Sequence, residues 1–348
     1  MAVEETNTQK ERENMRIVNL VDDARGVPEC IPQHGLSFYI ETEHHHLLFD
    51  TGASEITWEN ARRLGVDLVP VDTVIISHGH YDHAGGVQSF TDLNPNAVIY
   101  IQSTAAGEFF RKKAGNAGYK YIGIDAGIPT LPQVEMISGD LVIDDELTLF
   151  TGVKGNQFKP DTGGVLKERK NGRYVADAFR HEQHLVIREG DELTLFCGCA
   201  HTGILNILDS FQKKYGTAPK TVIGGMHLNQ PDPFAPDQEE SLREMAEQLS
   251  GTGCVFYTGH CTGEPAFRIL KSVLGTQIQY VRCGQLVPAD TEDDFLEQSR
   301  PAPVSNPEAP PKPAVKKGKK TYMKMHRMFA WGTVVCFVMT MVTGYMKK

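Results

Sequence analysis

The chain has 348 residues, 40% hydrophobic and 23% charged, with 35 basic and 44 acidic side chains for a net charge of −9. That balance is ordinary for a globular protein and excludes a wholly disordered or collagen-like chain. The charge divides unevenly, −17 over 1–300 against +8 over 301–348; so acidic a body lacks the clustered cations that phosphates demand, and nucleic acid is not expected as a partner.

In chain order, the first fifteen residues are polar and charged without an apolar core. They read as a disordered N-terminus, neither a secretory signal nor an acid-poor transit peptide. One continuous body follows over 16–290. Short apolar runs bounded by Gly, Asp and Pro predict strands at 16–21, 36–40, 47–50, 73–77, 98–102, 147–150, 184–188, 193–197, 221–224 and 255–257. Helical periodicity marks 55–64, 84–90, 204–214, 238–249 and 264–273. The pattern is mixed α/β, with hairpins early and strand–helix units later. Seven cysteines, an odd number at irregular spacings, point to reduced thiols in a cytosol-facing compartment. Cys197-Gly-Cys199 lacks a second pair at finger-like spacing and reads as structural.

Beyond the body, 291–327 reads as a linker, first proline-rich and then basic, with six prolines in 301–313. Residues 328–346 carry no charge. Nineteen helical residues at ~1.5 Å each reach roughly 28 Å, close to a bilayer's ~30 Å hydrocarbon core. The expectation is a C-terminal transmembrane helix anchoring the chain in a lipid bilayer. The basic residues before it would place the body on the cytoplasmic side.

The most informative stretch is Ser77-His78-Gly79-His80-Tyr81-Asp82-His83-Ala84-Gly85-Gly86, directly after an apolar strand. Residues i and i+2 of an extended chain share a face, so His78 and His80 can address one metal ion. The turn into the next helix re-aims Asp82 and His83 toward a second point. Imidazoles and a carboxylate suit zinc, manganese or iron, and two ions about 3.5–4 Å apart would make a two-metal site. Further ligands must come from other strand ends. His201, His227 and His260 each follow a β run, in the loops where α/β folds gather functional groups.

The HxHxDHxGG run with His201 and His260 downstream resembles the metallo-β-lactamase superfamily. That resemblance implies an αββα four-layer sandwich with a dinuclear site. The flanking text, from His34-Gly35-Leu36-Ser37 and Leu48-Phe49-Asp50-Thr51-Gly52 to Cys199-Ala200-His201-Thr202-Gly203, Gly225-Met226-His227 and Thr258-Gly259-His260-Cys261-Thr262-Gly263, is similar to one subgroup. It is named for 7,8-dihydropterin-6-methyl-4-(β-D-ribofuranosyl)-aminobenzene-5'-phosphate synthase. The similarity spans roughly 16–286.

Carried onto matching positions, the resemblance implies His78, His80 and His201 on one metal, and Asp82, His83 and His260 on the other. Asp50 would orient a ligand imidazole from behind. Many superfamily members bridge the metals with an aspartate where this chain has Thr221-Val222-Ile223-Gly224-Gly225-Met226-His227, so His227 stands as a metal ligand or a substrate contact. The implied enzyme is a hydrolase whose two divalent ions, zinc first and manganese or iron otherwise, activate water against an ester, lactone, thioester or phosphoester. Asp82 would both ligate and orient the nucleophile. The alternatives are the subgroup's namesake transferase, joining a pterin methyl pyrophosphate to an arylamine ribotide, and a non-catalytic metal- or redox-binding module. Three smaller expectations remain. His44-His45-His46 reads as a solvated hairpin tip, and His181 and His184 read as packing residues. The segment 154–177 reads as a long surface loop whose Lys154, Lys159, Lys167 or Arg169 could meet an anionic small-molecule substrate.

Overall fold

The computed structural model describes residues 15–287, apart from 116, 161–163 and 231–232. The chain opens with an antiparallel meander of β1 (Arg16–Val21), β2 (Ser37–Glu41) and β3 (His46–Phe49). Helix α1 (Ile56–Arg63) leads to β4 (Thr73–Ile75), and the short α2 (Tyr81–Ala84) and α3 (Val87–Leu93) lead to β5 (Val98–Gln102). Nine strands follow: β6 (Phe109–Lys112), β7 (Tyr119–Tyr121), β8 (Val134–Ile137), β9 (Leu141–Val142), β10 (Leu147–Thr151), β11 (Leu166–Lys170), β12 (Arg173–Ala176), β13 (Gln183–Glu189) and β14 (Glu192–Cys197). The last part alternates through α4 (Ile204–Tyr215), β15 (Thr221–Gly224), α5 (Pro236–Ser250), β16 (Val255–Thr258), α6 (Glu264–Leu274) and β17 (Ile278–Tyr280), and closes with β18 (Leu286–Val287).

The strands form two seven-stranded sheets, ordered β18-β1-β2-β3-β4-β5-β8 and β17-β16-β15-β14-β13-β10-β9. Strand side chains alternate between faces, and here both faces are apolar. Phe38, Ile40, Leu47, Phe49 and Ile75 of the first sheet meet Leu149, Leu185, Ile187 and Phe196 of the second. The alternate residues Leu20, Leu48, Val74 and Ile99 turn outward beneath Trp58 of α1 and Val87 and Phe90 of α3. Leu195, Cys197, Val222 and Phe256 lie beneath Ile207 and Phe211 of α4, Met245 and Leu249 of α5 and Leu270 of α6. The result is an αββα sandwich. Each fully buried leucine or phenylalanine adds roughly 1.5–3 kcal/mol over its exposed state.

Several expectations are corrected. No helix among the described residues is long and apolar enough to cross a membrane. The transmembrane helix, the bilayer as partner and the membrane localisation therefore have no support in the structure; the stretch they were assigned to, 328–346, lies outside the described residues, as do the whole linker, 291–327, and residues 1–14 of the N-terminus read as disordered. The segment 154–177 is not a bare loop, since β11 and β12 join a four-stranded sheet ordered β12-β11-β6-β7. The helix expected over 84–90 is two helices. Gly85 and Gly86 lie between them, pressed so closely onto the Ala53 and Thr51 carbonyls that a Cβ would collide. Asp82 and His83 consequently sit on α2 itself. The hairpin tip is not simply solvated: the His45 ring spans Asp72 Oδ1 (2.9 Å) and Asp144 Oδ2 (2.8 Å), tying the loop before β4 to the turn before β10.

Candidate metal centre

The site lies beyond the C-terminal ends of strands from both sheets, where open α/β folds place their functional groups. Asp22 and Asp23 follow β1, Asp50 follows β3 and the histidine run follows β4. His201 follows β14, His227 follows β15 and His260 follows β16. Five non-glycine residues here adopt left-handed backbone: Asp50 (φ 61°), Phe179 (51°), Ala200 (50°), His227 (50°) and His260 (45°). Such conformations cost of order 1–3 kcal/mol each and persist where surrounding structure enforces them.

Carboxylates, buried at Asp22, Asp50 and Glu182 and exposed at Asp23, hold the loops that carry the site. Asp50 accepts three hydrogen bonds, from the Ser77 backbone N–H (2.7 Å), the Ser77 hydroxyl (2.7 Å) and His83 Nδ1 (2.6 Å). Because the serine hydroxyl donates to Asp50, its oxygen accepts from His78 Nδ1 at 2.8 Å. Both rings are thereby held as tautomers with a bare Nε2. Asp23 does the same for His260, accepting from Nδ1 at 2.7 Å, while Asp22 accepts the His260 backbone N–H at 2.7 Å. Glu182 clamps the third ligand loop, accepting the His201 N–H (2.6 Å), the Thr202 N–H (3.0 Å) and the Thr202 hydroxyl (2.5 Å). The loop Gly198-Cys199-Ala200 can pass over Ser77 and His78 only because residue 198 has no side chain.

These constraints bring the expected residues together. His78 Nε2 and His80 Nδ1 lie 3.0 Å apart, as two ligands of one ion do. The His201 ring is 4.9 Å from that of His78 and 5.0 Å from that of His80. Asp82 Oδ2 lies 3.7 Å from His83 Nε2 and 3.6 Å from His260 Nε2, completing a second group. The His227 ring is 4.2 Å from His201. Asp50 stands behind His83, as expected. The donors fit divalent metal: a ring nitrogen of His201, His227 Nδ1 and His260 Nε2 are buried without a hydrogen-bond partner. Leaving such groups unpaired costs roughly 1–3 kcal/mol each, which coordination would remove, and imidazole with carboxylate suits zinc, manganese or iron.

Burial keeps the first group neutral. It holds the imidazoles of His78 and His201 well below their ordinary pKa, and with His181 it lowers His80 to about 3. Burial opposes the ionisation of Asp82, yet the His83, His260 and His80 rings hold its carboxyl at about 2. Burial raises Asp22 to about 7. The lowered histidines fix a sign. Between their folded pKa and the unfolded value near 6.5, the unfolded chain binds more protons, so stability falls as pH falls. Chelator-treated protein should lose up to about 1.4 kcal/mol per pH unit for each of these rings below pH ~6.5, offset in part by Asp22, whose raised pKa makes the folded chain bind more protons between about pH 7 and 4. Urea melts at pH 7, 6 and 5 would check this, and a flat profile would contradict it.

Several contributors escaped the sequence reading. Asp22 and Asp23 look like turn residues, although a carboxylate directly after an apolar strand is the signal that picked out Asp50. His34 bridges Asp23 (2.9 Å) and Asp82 (3.3 Å) at the half-exposed mouth of the site. His181 is more than packing: its Nδ1 accepts the Gly79 N–H at 3.0 Å and its Nε2 donates to Asp177 at 3.1 Å, fixing the backbone between His78 and His80. His184 is buried in β13 beside Phe150, as expected of a packing residue. Among the four cations considered for substrate, Arg169 is paired with Glu108 across β11 and β6. Lys159 lies 5.6 Å above the Phe179 ring, which itself stacks on His201 at 4.4 Å. Lys159→Gln should therefore raise KM severalfold for an anionic substrate, matching the ~0.2–1 kcal/mol of an exposed charge interaction, and leave a neutral one unchanged. Equal KM shifts for both would remove Lys159 from substrate contact.

The comparisons agree with this geometry. The sequence model of the metallo-beta-lactamase superfamily matches residues 31–260. Tm1679, named a metal-dependent hydrolase of the beta-lactamase superfamily, is 30% identical. Its structure aligns with a TM-score of 0.66 over 79% of this chain and 98% of that one. The 7,8-dihydropterin-6-methyl-4-(beta-D-ribofuranosyl)-aminobenzene-5'-phosphate synthase of Methanocaldococcus jannaschii is 27% identical over 295 residues, 79% of this chain and 97% of its own. The uncharacterised protein MJ0448 of the same organism is 27% identical over 263 residues, 74% and 94% of the two chains. With the two-sheet sandwich and the histidine cluster at its strand ends, the chain belongs to the metallo-beta-lactamase superfamily.

Proposed function

We propose that the protein is a dinuclear metal-dependent hydrolase that cleaves an ester, lactone, thioester or phosphoester in a small, negatively charged molecule. One observation carries the reading: buried imidazole nitrogens without partners converge from both sheets on two adjacent groups, the second of which holds Asp82 between its rings and the open mouth. His78, His80 and His201 would hold one ion, and Asp82, His83 and His260 the other, with zinc the first choice and manganese or iron the alternatives. His227 borders the first group as a further ligand or a substrate contact. The bound ions supply Lewis acidity and bring the pKa of water toward neutrality.

The chain's own residues do the rest. Asp50 and Asp23 keep His83 and His260 in the tautomer that presents a bare Nε2, and such outer contacts are worth 10–100-fold in metal affinity in other sites. Ionised Asp82 accepts hydrogen bonds only, and its side chain is 11% exposed toward the mouth, where it can orient an entering water. His34, whose pKa is raised by its hydrogen bond to Asp23, stands 3.3 Å from Asp82 Oδ2 as an ion-pair partner at the mouth. Lys159, 5.6 Å above the Phe179 ring that stacks on His201, favours an anionic substrate.

The full-length alignment with the Methanocaldococcus jannaschii synthase favours a second reading, a transferase joining a pterin methyl pyrophosphate to an arylamine ribotide. Elemental analysis of the purified protein, with a phosphodiester, lactone and thioester panel, tests the first. About two metal equivalents with chelator-sensitive turnover of one substrate and water supports the hydrolase. Metal with condensation of two organic substrates and no hydrolysis favours the transferase. Activity that survives complete metal removal sinks both.

A further inference from the structure

A sulfur lies between the two histidine groups, within 4.8 Å of nitrogens from both. Cys199 is buried two residues beyond the end of β14. Its Sγ belongs to three clusters whose ligand atoms all lie within 4.8 Å of one another: with His78 and His201, with His83 and His260, and with His227 and Cys261. Its nearest polar contact is His83 Nε2 at 3.2 Å, the nitrogen that Asp50 strips of its proton. The neighbouring thiol makes the contrast. Cys197 packs in the apolar layer beneath α4 with Leu195 and Ile207 and touches none of these rings. Only Gly198 separates the two cysteines, and left-handed Ala200 follows Cys199 directly, which places residue 199 over the histidines.

A buried cysteine alone says little, being usually a small hydrophobe. The surroundings say more. His201, His227 and His260 each present a buried ring nitrogen without a partner in these same three clusters, so the sulfur sits among vacant lone pairs drawn from both proposed ion positions. Thiolate is a strong ligand for zinc, and one sulfur can bind two ions at once. We propose that Cys199 ligates the metal centre as a thiolate shared between the two histidine groups, in the role that a bridging carboxylate plays elsewhere. The assignment rests on the metal-centre reading above and specifies its chemistry: coordination releases the thiol proton, and the mixed nitrogen–sulfur set biases the site toward zinc over manganese.

The test uses the full chain, stripped with a chelator and reloaded with cobalt(II), as wild type, Cys199→Ser and Cys261→Ser. Wild type and Cys261→Ser should show sulfur-to-cobalt charge-transfer absorption in the near ultraviolet, and Cys199→Ser should lose it while keeping the visible d–d bands. X-ray absorption of zinc-loaded Cys261→Ser protein should independently show a sulfur shell at about 2.3 Å, which decides the matter if Cys199→Ser fails to fold. Bound cobalt without the charge-transfer band overturns the sulfur ligand and leaves the metal centre standing. A band lost only in Cys261→Ser overturns it in favour of the other thiol. A chain that takes up neither metal overturns this assignment together with the metal-centre reading.

Discussion

Asp82→Ala is expected to lower kcat/KM by about 10²–10⁴-fold, the usual loss when a positioned proton acceptor is removed, and to lower bound metal below two equivalents. Both losses follow from one geometry. Asp82 Oδ2 faces His34, His83 and His260 at 3.3, 3.7 and 3.6 Å, so the same carboxylate serves the second ion and the approach to it. The effect should fall on kcat more than on KM, because an interaction made chiefly in the transition state is the one removed. Steady-state kinetics beside elemental analysis would separate the roles. Unchanged metal content with lost turnover would confine Asp82 to orienting water; retained turnover would remove it from the mechanism.

Asp50→Asn should act at a distance from any substrate. The amide tolerates the left-handed backbone at this position, so the exchange isolates the loss of an acceptor-only group. Three donors, two from Ser77 and one from His83, now face a side chain with a single acceptor oxygen. Breaking a buried charged network of this kind costs about 3 kcal/mol, or roughly 6–12 °C in the melting temperature of a domain this size. His83 also loses the contact that fixes its tautomer, and metal affinity should fall 10–100-fold. Calorimetry and metal-competition titration check the two arms. A variant that melts and binds metal like the wild type would show that the His83 tautomer does not depend on Asp50.

How much of this was legible depends on whether a side chain's partner lies nearby in sequence. Strands buried on both faces read as unbroken apolar runs, so β1, β5 and β15 stand at their expected bounds. The histidine run announces itself because four potential ligands crowd six residues. The β12-β11-β6-β7 sheet stayed hidden because charge interrupts its pattern: Arg111, Lys112, Lys120 and Arg173 lie exposed on its strands, and the Tyr119–Tyr174 ring stack that joins its outer edges spans residues far apart in the chain. The surroundings of Cys199 were hidden for the same reason, since metal spacings in sequence seek a second cysteine and three of the segments around it, those of His78 and His83, of His227 and of His260, lie far off in the chain. Asp23 looked like a turn residue because its partner, His260, lies 237 positions away.

The pairing of β18 with β1 also constrains when the site can exist. The edge of the first sheet is completed by Leu286 and Val287, and the Gly284 N–H and Gln285 carbonyl bond to Asn19 across nearly the whole body. Asp22 and Asp23, at the end of the very strand so completed, hold His260. During synthesis, therefore, His78 leaves the ribosome long before His260, and the first sheet closes only once nearly the whole body has emerged. Contacts so distant in sequence form slowly. The seat of His260 on Asp22 and Asp23 is thus among the last parts of the body to be fixed.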